Sequence, residues 1–130
     1  MNAPMPQVRY QVLPLPRVQR EEKKLLSADQ LREAIRLAKR LRFYPETSGL
    51  SLEPCGLGFE LRLEHPDIGQ QGWLRAIFWI HERRKEIYVV DLFWKKSNRI
   101  SIADQQRASH RIRQLQLLLN AGGSPWKQSE

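Results

Sequence analysis

Residues Trp73–Lys96, WLRAIFWIHERRKEIYVVDLFWKK, read as two apolar strands joined by a tight charged turn. In the first strand Leu74, Ala76, Phe78 and Ile80 alternate with Arg75, Ile77, Trp79 and His81. A two-residue repeat puts these two sets on opposite faces of a sheet. The second run, IYVVDLFW, is apolar on both faces, the pattern of a central strand covered on both sides. Just upstream, GFELRLEH alternates cleanly: Phe59, Leu61 and Leu63 face one way, Glu60, Arg62 and Glu64 the other. Three successive antiparallel strands are therefore expected, and the other segments are arranged around them.

Two helices flank this unit. In SADQLREAIRLAKRLRFYP, Ser27 and Gln30 have the spacing of a capping box, and Leu31, Ala34, Ile35, Ala38 and Leu41 form one apolar stripe that Pro45 ends. In SIADQQRASHRIRQLQLLLNAGG, Ser101 and Asp104 mark the start. Ala108, Ile112, Leu115 and Leu119 make the stripe, and Gly122–Gly123 make the stop. Near the N-terminus Val8 to about Leu13 reads as a short strand stopped by Pro14 and Pro16, hence at or near an edge. RVQREEKKLL reads as a short helix or a charged loop, and ETSGLSLEPCG as a loop. The expected fold class is α+β: a small antiparallel sheet packed by N-terminal helical segments and a C-terminal helix. A disordered lead (1–7), a single domain (8–121) and a flexible tail (122–130) complete the expected organisation.

The 130-residue chain carries 22 Lys and Arg against 14 Asp and Glu, a net charge of +8. That balance attracts polyanions: nucleic acid, an anionic membrane surface or an acidic protein. A 41% hydrophobic content argues against disorder. One cysteine, Cys55, excludes an intrachain disulfide, which fits a reducing compartment. The first ten residues hold no apolar signal core, and no apolar run is long enough to span a bilayer. A cytoplasmic protein without membrane attachment is expected.

Strand alternation brings the chemistry into view. Arg62 and Arg75 share the face opposite the first apolar set, on strands expected about 4.8 Å apart. Two arginines so placed can converge on one anion. Lys95 and Lys96 lie where the third strand leaves the sheet. Arginine's planar fork suits bidentate phosphate binding, and lysine supplies a compact charge. Trp79, Phe93 and Trp94 offer surfaces on which a base can stack. Arg83, Arg84 and Lys85 in the hairpin turn are either a solubilising turn or an electrostatic foot on RNA phosphates. His81 has a suitable unperturbed pKa but sits in a turn. His65 and His110 are weaker candidates, and the histidines and Cys55 show no metal-ligand spacing.

The succession GFELRL, WLRAIFWI, IYVVDLFWKK and ADQQRASHRIRQL resembles the RelE/HigB-like toxins of bacterial toxin–antitoxin systems, including their phage-type relatives. The likeness covers about residues 57–118. It implies a RelE-like fold and a ribosome-associated mRNA endonuclease acting at the A site, held silent by a cognate antitoxin. It further implies activity without metal or other cofactor. On this resemblance Arg62, Arg75, Lys95 and Lys96 are the catalytic set. Arg83, Arg84, Lys85, Trp79 and Trp94 are candidate RNA contacts. Glu60 stands where some members carry a basic residue, and no tyrosine appears near the start of the last helix. Metal-free RNA cleavage needs a base for the 2′-OH, neutralisation of the phosphate and an acid for the 5′-oxygen. Arginines supply only the second. The rival expectations are a ParE-like toxin that traps gyrase and a non-catalytic nucleic-acid-binding relative.

Overall fold

The computed structural model describes residues 7–47, 50–63, 73–95 and 100–126. Chain order is β1 (Gln11–Pro14), α1 (Pro16–Leu25), α2 (Ala28–Lys39), a 3-10 turn (Arg40–Phe43), β2 (Ser51–Cys55), β3 (Gly58–Leu63), β4 (Trp73–His81), β5 (Glu86–Lys95) and α3 (Ile102–Asn120). The five strands form one sheet in the order β1-β5-β4-β3-β2. β2 through β5 run antiparallel, and β1 lies parallel to β5. The sheet is thus mixed rather than antiparallel throughout. In the chain β1 is separated from β5 by the helices and by β2 through β4, so no tight turn forces the two to run antiparallel.

Local signals explain the helices. The Ser27 hydroxyl accepts from the Gln30 N–H while the Gln30 side chain accepts from the Ser27 N–H, completing the capping box. α1 starts with Pro16 in its first turn, where the missing N–H costs nothing, and carries Lys23 and Lys24 in its last. The α-helical part of the Ser27–Pro45 segment ends at Lys39, and its last residues tighten into the 3-10 turn.

One stretch expected to be a loop is a strand. β2 pairs with β3 from Ser51↔Arg62 to Cys55↔Gly58, across a turn at Gly56 (φ +58°) and Leu57. Pro54 reads as a breaker, but β2 is an edge strand with a side that needs no donor. At Gly58 an added Cβ would stand 2.4 Å from the Phe78 carbonyl oxygen, so only glycine lets β3 approach β4 there.

The sheet is covered on both faces. On one, Leu61, Leu74, Ala76, Phe78 and Leu92 pack with Val18, Leu26, Ala34 and Leu41 from the N-terminal helices. On the other, Ile77, Tyr88 and Val90 pack under Ala108, Ile112 and Leu115 of α3. The face expected to be an open cationic basin is therefore largely roofed. The apolar stripe of α3 needs a partner, and Ile77 and Trp79 supply it from between the charged residues.

Candidate functional site

Arg62 and Arg75 stand directly opposite each other on β3 and β4, as their alternation requires. Phe93 is opposite Arg75 on the far side, giving the transverse row Ser51–Arg62–Arg75–Phe93. The adjacent row on the same face is Glu53–Glu60–Ile77–Asp91. A basic row thus lies against an acidic one, two residues along the strands.

Each buried carboxylate of the acidic row gathers two arginines. Glu60 Oε1 accepts from Arg75 Nη1 at 2.7 Å and lies 3.7 Å from Arg62 Nη2. The Arg75 side chain is fully enclosed, Glu60 is 5% exposed and Arg62 is 13% exposed. Two like charges opposite each other on neighbouring strands repel, and a shared carboxylate offsets that repulsion. Asp91 accepts from Arg107 Nε at 2.9 Å, from Arg111 Nη1 at 2.6 Å and from the Leu92 N–H at 3.0 Å. The α3 helix therefore brings two cations to this face that strand patterning does not reveal.

Lys95 continues the second cluster. Its Nζ donates to Asp104 Oδ2 at 3.0 Å, and Asp104 Oδ1 lies 3.0 Å from Arg107 Nη2. Lys95, Asp104, Arg107, Asp91 and Arg111 form an alternating chain of charges between β5 and α3. Asp104, Arg107 and Arg111 share one helix face by their three- and four-residue spacing. Burial alone would push the Asp104 carboxyl up. Hydrogen bonds from Lys95, Ser101 and Arg107 outweigh it and hold the group below the usual carboxylate range. The Arg107 guanidinium also lies over the Phe93 ring, 5.2 Å from its centroid.

The remaining expected residues separate. Lys96 and His65 lie outside the described residues. Trp94 is on the other face, packed with the helical layer, its indole N–H donating to the Leu25 carbonyl at 3.4 Å. Trp79 is half-buried in the α3 layer, stacked on Tyr88 and edge-on to His81. The Tyr88 hydroxyl is pushed up to about 12 by burial and its bond to Glu86, so it stays protonated. Arg83, Arg84 and Lys85 are exposed at the hairpin tip, ten residues along β5 from Lys95, roughly 30 Å at strand rise. There Arg84 pairs with Glu86 and Lys85 with Glu82. His81 Nδ1 accepts from the Arg84 N–H at 3.3 Å, which fixes the ring at the turn. Cys55 is buried under α3, its thiol pushed up to about 11 by burial and by neighbouring carboxylates. Among the described residues no three His, Cys, Asp or Glu side chains are grouped to hold a metal ion, and no helix is long and apolar enough to cross a membrane.

No protein-family model matches the sequence, and no curated protein is similar to it in sequence. Among solved structures the chain is similar to the E. coli toxin RelE, solved in the free state as a double arginine-to-alanine mutant. The TM-score is 0.56 with 12% sequence identity, over 80% of this chain and 98% of that one. The chain therefore shares the RelE fold.

Proposed function

We propose that the protein is the toxin of a toxin–antitoxin pair and cleaves mRNA on the ribosome without a metal ion. The observation that carries this reading is the RelE fold, combined with a paired Arg62–Arg75 on the sheet face to which Lys95 also belongs. In the proposed mechanism Arg62 and Lys95, which are partly exposed, neutralise the scissile phosphate, and Lys96, the next residue in the chain, is a further candidate cation. Arginine cannot serve as the base. Glu60, the carboxylate between the two arginines, is the proton acceptor for the 2′-OH, and fully enclosed Arg75 is a positioning residue that holds it. Lys95 protonates the leaving 5′-oxygen. Arg83, Arg84 and Lys85 contact ribosomal RNA at a distance from the chemistry, and Trp79 and Trp94 support the two layers more than they stack bases. An antitoxin silences the protein, which acts in the cytoplasm.

Inducible expression in E. coli tests this reading. Growth arrest with truncated transcripts is the expected result, and Arg62→Ala should relieve both while leaving a folded protein. Arrest with intact transcripts and DNA damage would instead establish a gyrase-directed toxin of the ParE kind. A second reading, a non-catalytic relative, is favoured by the enclosure of Arg75 and its bond to Glu60. Its signature is salt-sensitive RNA binding without cleavage.

A further inference from the structure

The proposed cleavage step makes a demand that Lys95 alone does not meet. A general acid must stand within hydrogen-bond reach of the oxygen it protonates, roughly 2.6–3.2 Å. A lysine ammonium rides on a flexible four-carbon stem and loses rotamer freedom when it is fixed. Lys95 closes β5 on the same face as Phe93, one row beyond Arg75. Its side chain is 24% exposed, so a substrate can reach it. What fixes the ammonium is Asp104 of α3, whose Oδ2 accepts from Lys95 Nζ at 3.0 Å. Asp104 is itself tied down. Its Oδ1 lies 3.0 Å from Arg107 Nη2, the Ser101 hydroxyl donates to its carboxylate, and its own N–H donates to Ser101 Oγ at 3.1 Å.

Anchoring of α3 does not account for this pair. Ala108, Ile112 and Leu115 already hold that helix to the sheet, as do Arg107 and Arg111 on Asp91 and the Leu57 N–H on Ser109 Oγ. A partly exposed ion pair adds little to such an anchor. Nor is Asp104 the acid itself. The donors around it hold its carboxyl below the usual carboxylate range, so it is ionised at neutral pH. We infer that Asp104 is a positioning residue for the cleavage step: its carboxylate holds one N–H of Lys95 and leaves the other two to meet the scissile phosphate and its 5′-oxygen. In that step the 2′-oxygen bonds to phosphorus as Glu60 takes its proton. The bond from phosphorus to the 5′-oxygen breaks, and Lys95 gives that oxygen a proton. This inference rests on the RNA-cleaving reading above.

The test is single-turnover cleavage of ribosome-bound mRNA at pH 7 by the full chain and its variants. Asp104→Asn should lower the rate at saturating protein by about ten- to a hundredfold, the effect of a catalytic group misplaced by about 1 Å, with the half-saturating concentration unchanged. Asp104→Glu, whose carboxylate still reaches the ammonium, should restore most of the rate. In a Lys95→Gln background, Asp104→Asn should have no further effect, because it acts through Lys95. An equal loss in that background would reveal a structural role and overturn the inference. A second readout needs no cleavage. Under an amine-acylating reagent Lys95 should label several-fold faster in Asp104→Asn than in the parent, with exposed Lys24 as the unchanged reference. Equal labelling would show that the ammonium is not held and would also overturn the inference. No cleavage by the parent chain would overturn the RNA reading together with this role. Cleavage by the parent that Asp104→Asn leaves undiminished would overturn the role alone.

Discussion

Glu60 concentrates the question at the scale of single residues. It holds a fully enclosed arginine and lies close to a second. Removing one partner of a buried ion pair typically costs about 3–5 kcal/mol, because the remaining charge is stranded. Glu60→Gln is therefore expected to lower stability to urea by an amount of that order. Joint replacement of Glu60 and Arg75 by leucine should recover most of it, since an apolar pair removes the stranded charge as well. A double variant no more stable than Glu60→Gln would show that Arg75 is held chiefly by other contacts. The shared face of Arg62 and Arg75 was legible in the sequence, because alternation fixes the face of each residue once the core set is known. Their enclosure was not. That depends on α3 lying over the same face, and strand periodicity carries no information about what covers a sheet.

At the scale of elements, β2 and the β5–α3 charge chain were the features the sequence concealed. β2 is short and contains Pro54, so its local signal is that of a turn, and its existence follows from pairing with β3. Asp91 reads as a lone acid in an apolar strand, and its two arginines arrive from a helix 16 and 20 residues away. The capping box and most of the apolar stripes were legible, being local in sequence, but Ile35 of the α2 stripe is exposed rather than packed. Gly58 gives an element-scale test. A methyl group there meets the Phe78 carbonyl and the Ile112 side chain at 2.4 and 2.9 Å. Gly58→Ala should cost about 1–3 kcal/mol by overpacking. A neutral effect in thermal or urea unfolding would contradict the close β3–β4 approach.

The charge chain also sets a pH dependence. The Asp104 carboxyl is held below its ordinary value, so the folded state binds its proton less readily than the unfolded state does. Its stabilisation is present above the unfolded value, near 4, and is lost as pH falls through the folded value. Asp104→Asn should be less stable than the parent at pH 7, and the difference should shrink once pH drops below about 4. A difference independent of pH would remove the carboxylate from the account.

For the whole molecule, a net charge of +8 favours a polyanion as binding partner. The order of strands and helices from Gly58 onward was legible, and with it the architecture. The parallel placement of β1 was not, because nothing in a short edge strand announces its neighbour. Primer extension on a defined mRNA bound to translating ribosomes, with purified protein added, tests the central claim most directly. The parent chain should produce new 5′ ends at the codon in the A site, and Arg62→Ala should reduce them by about a hundredfold or more, in line with the loss of one electrostatic contact to the transition state. Full-length mRNA with the parent chain, or equal cleavage by Arg62→Ala, would contradict it.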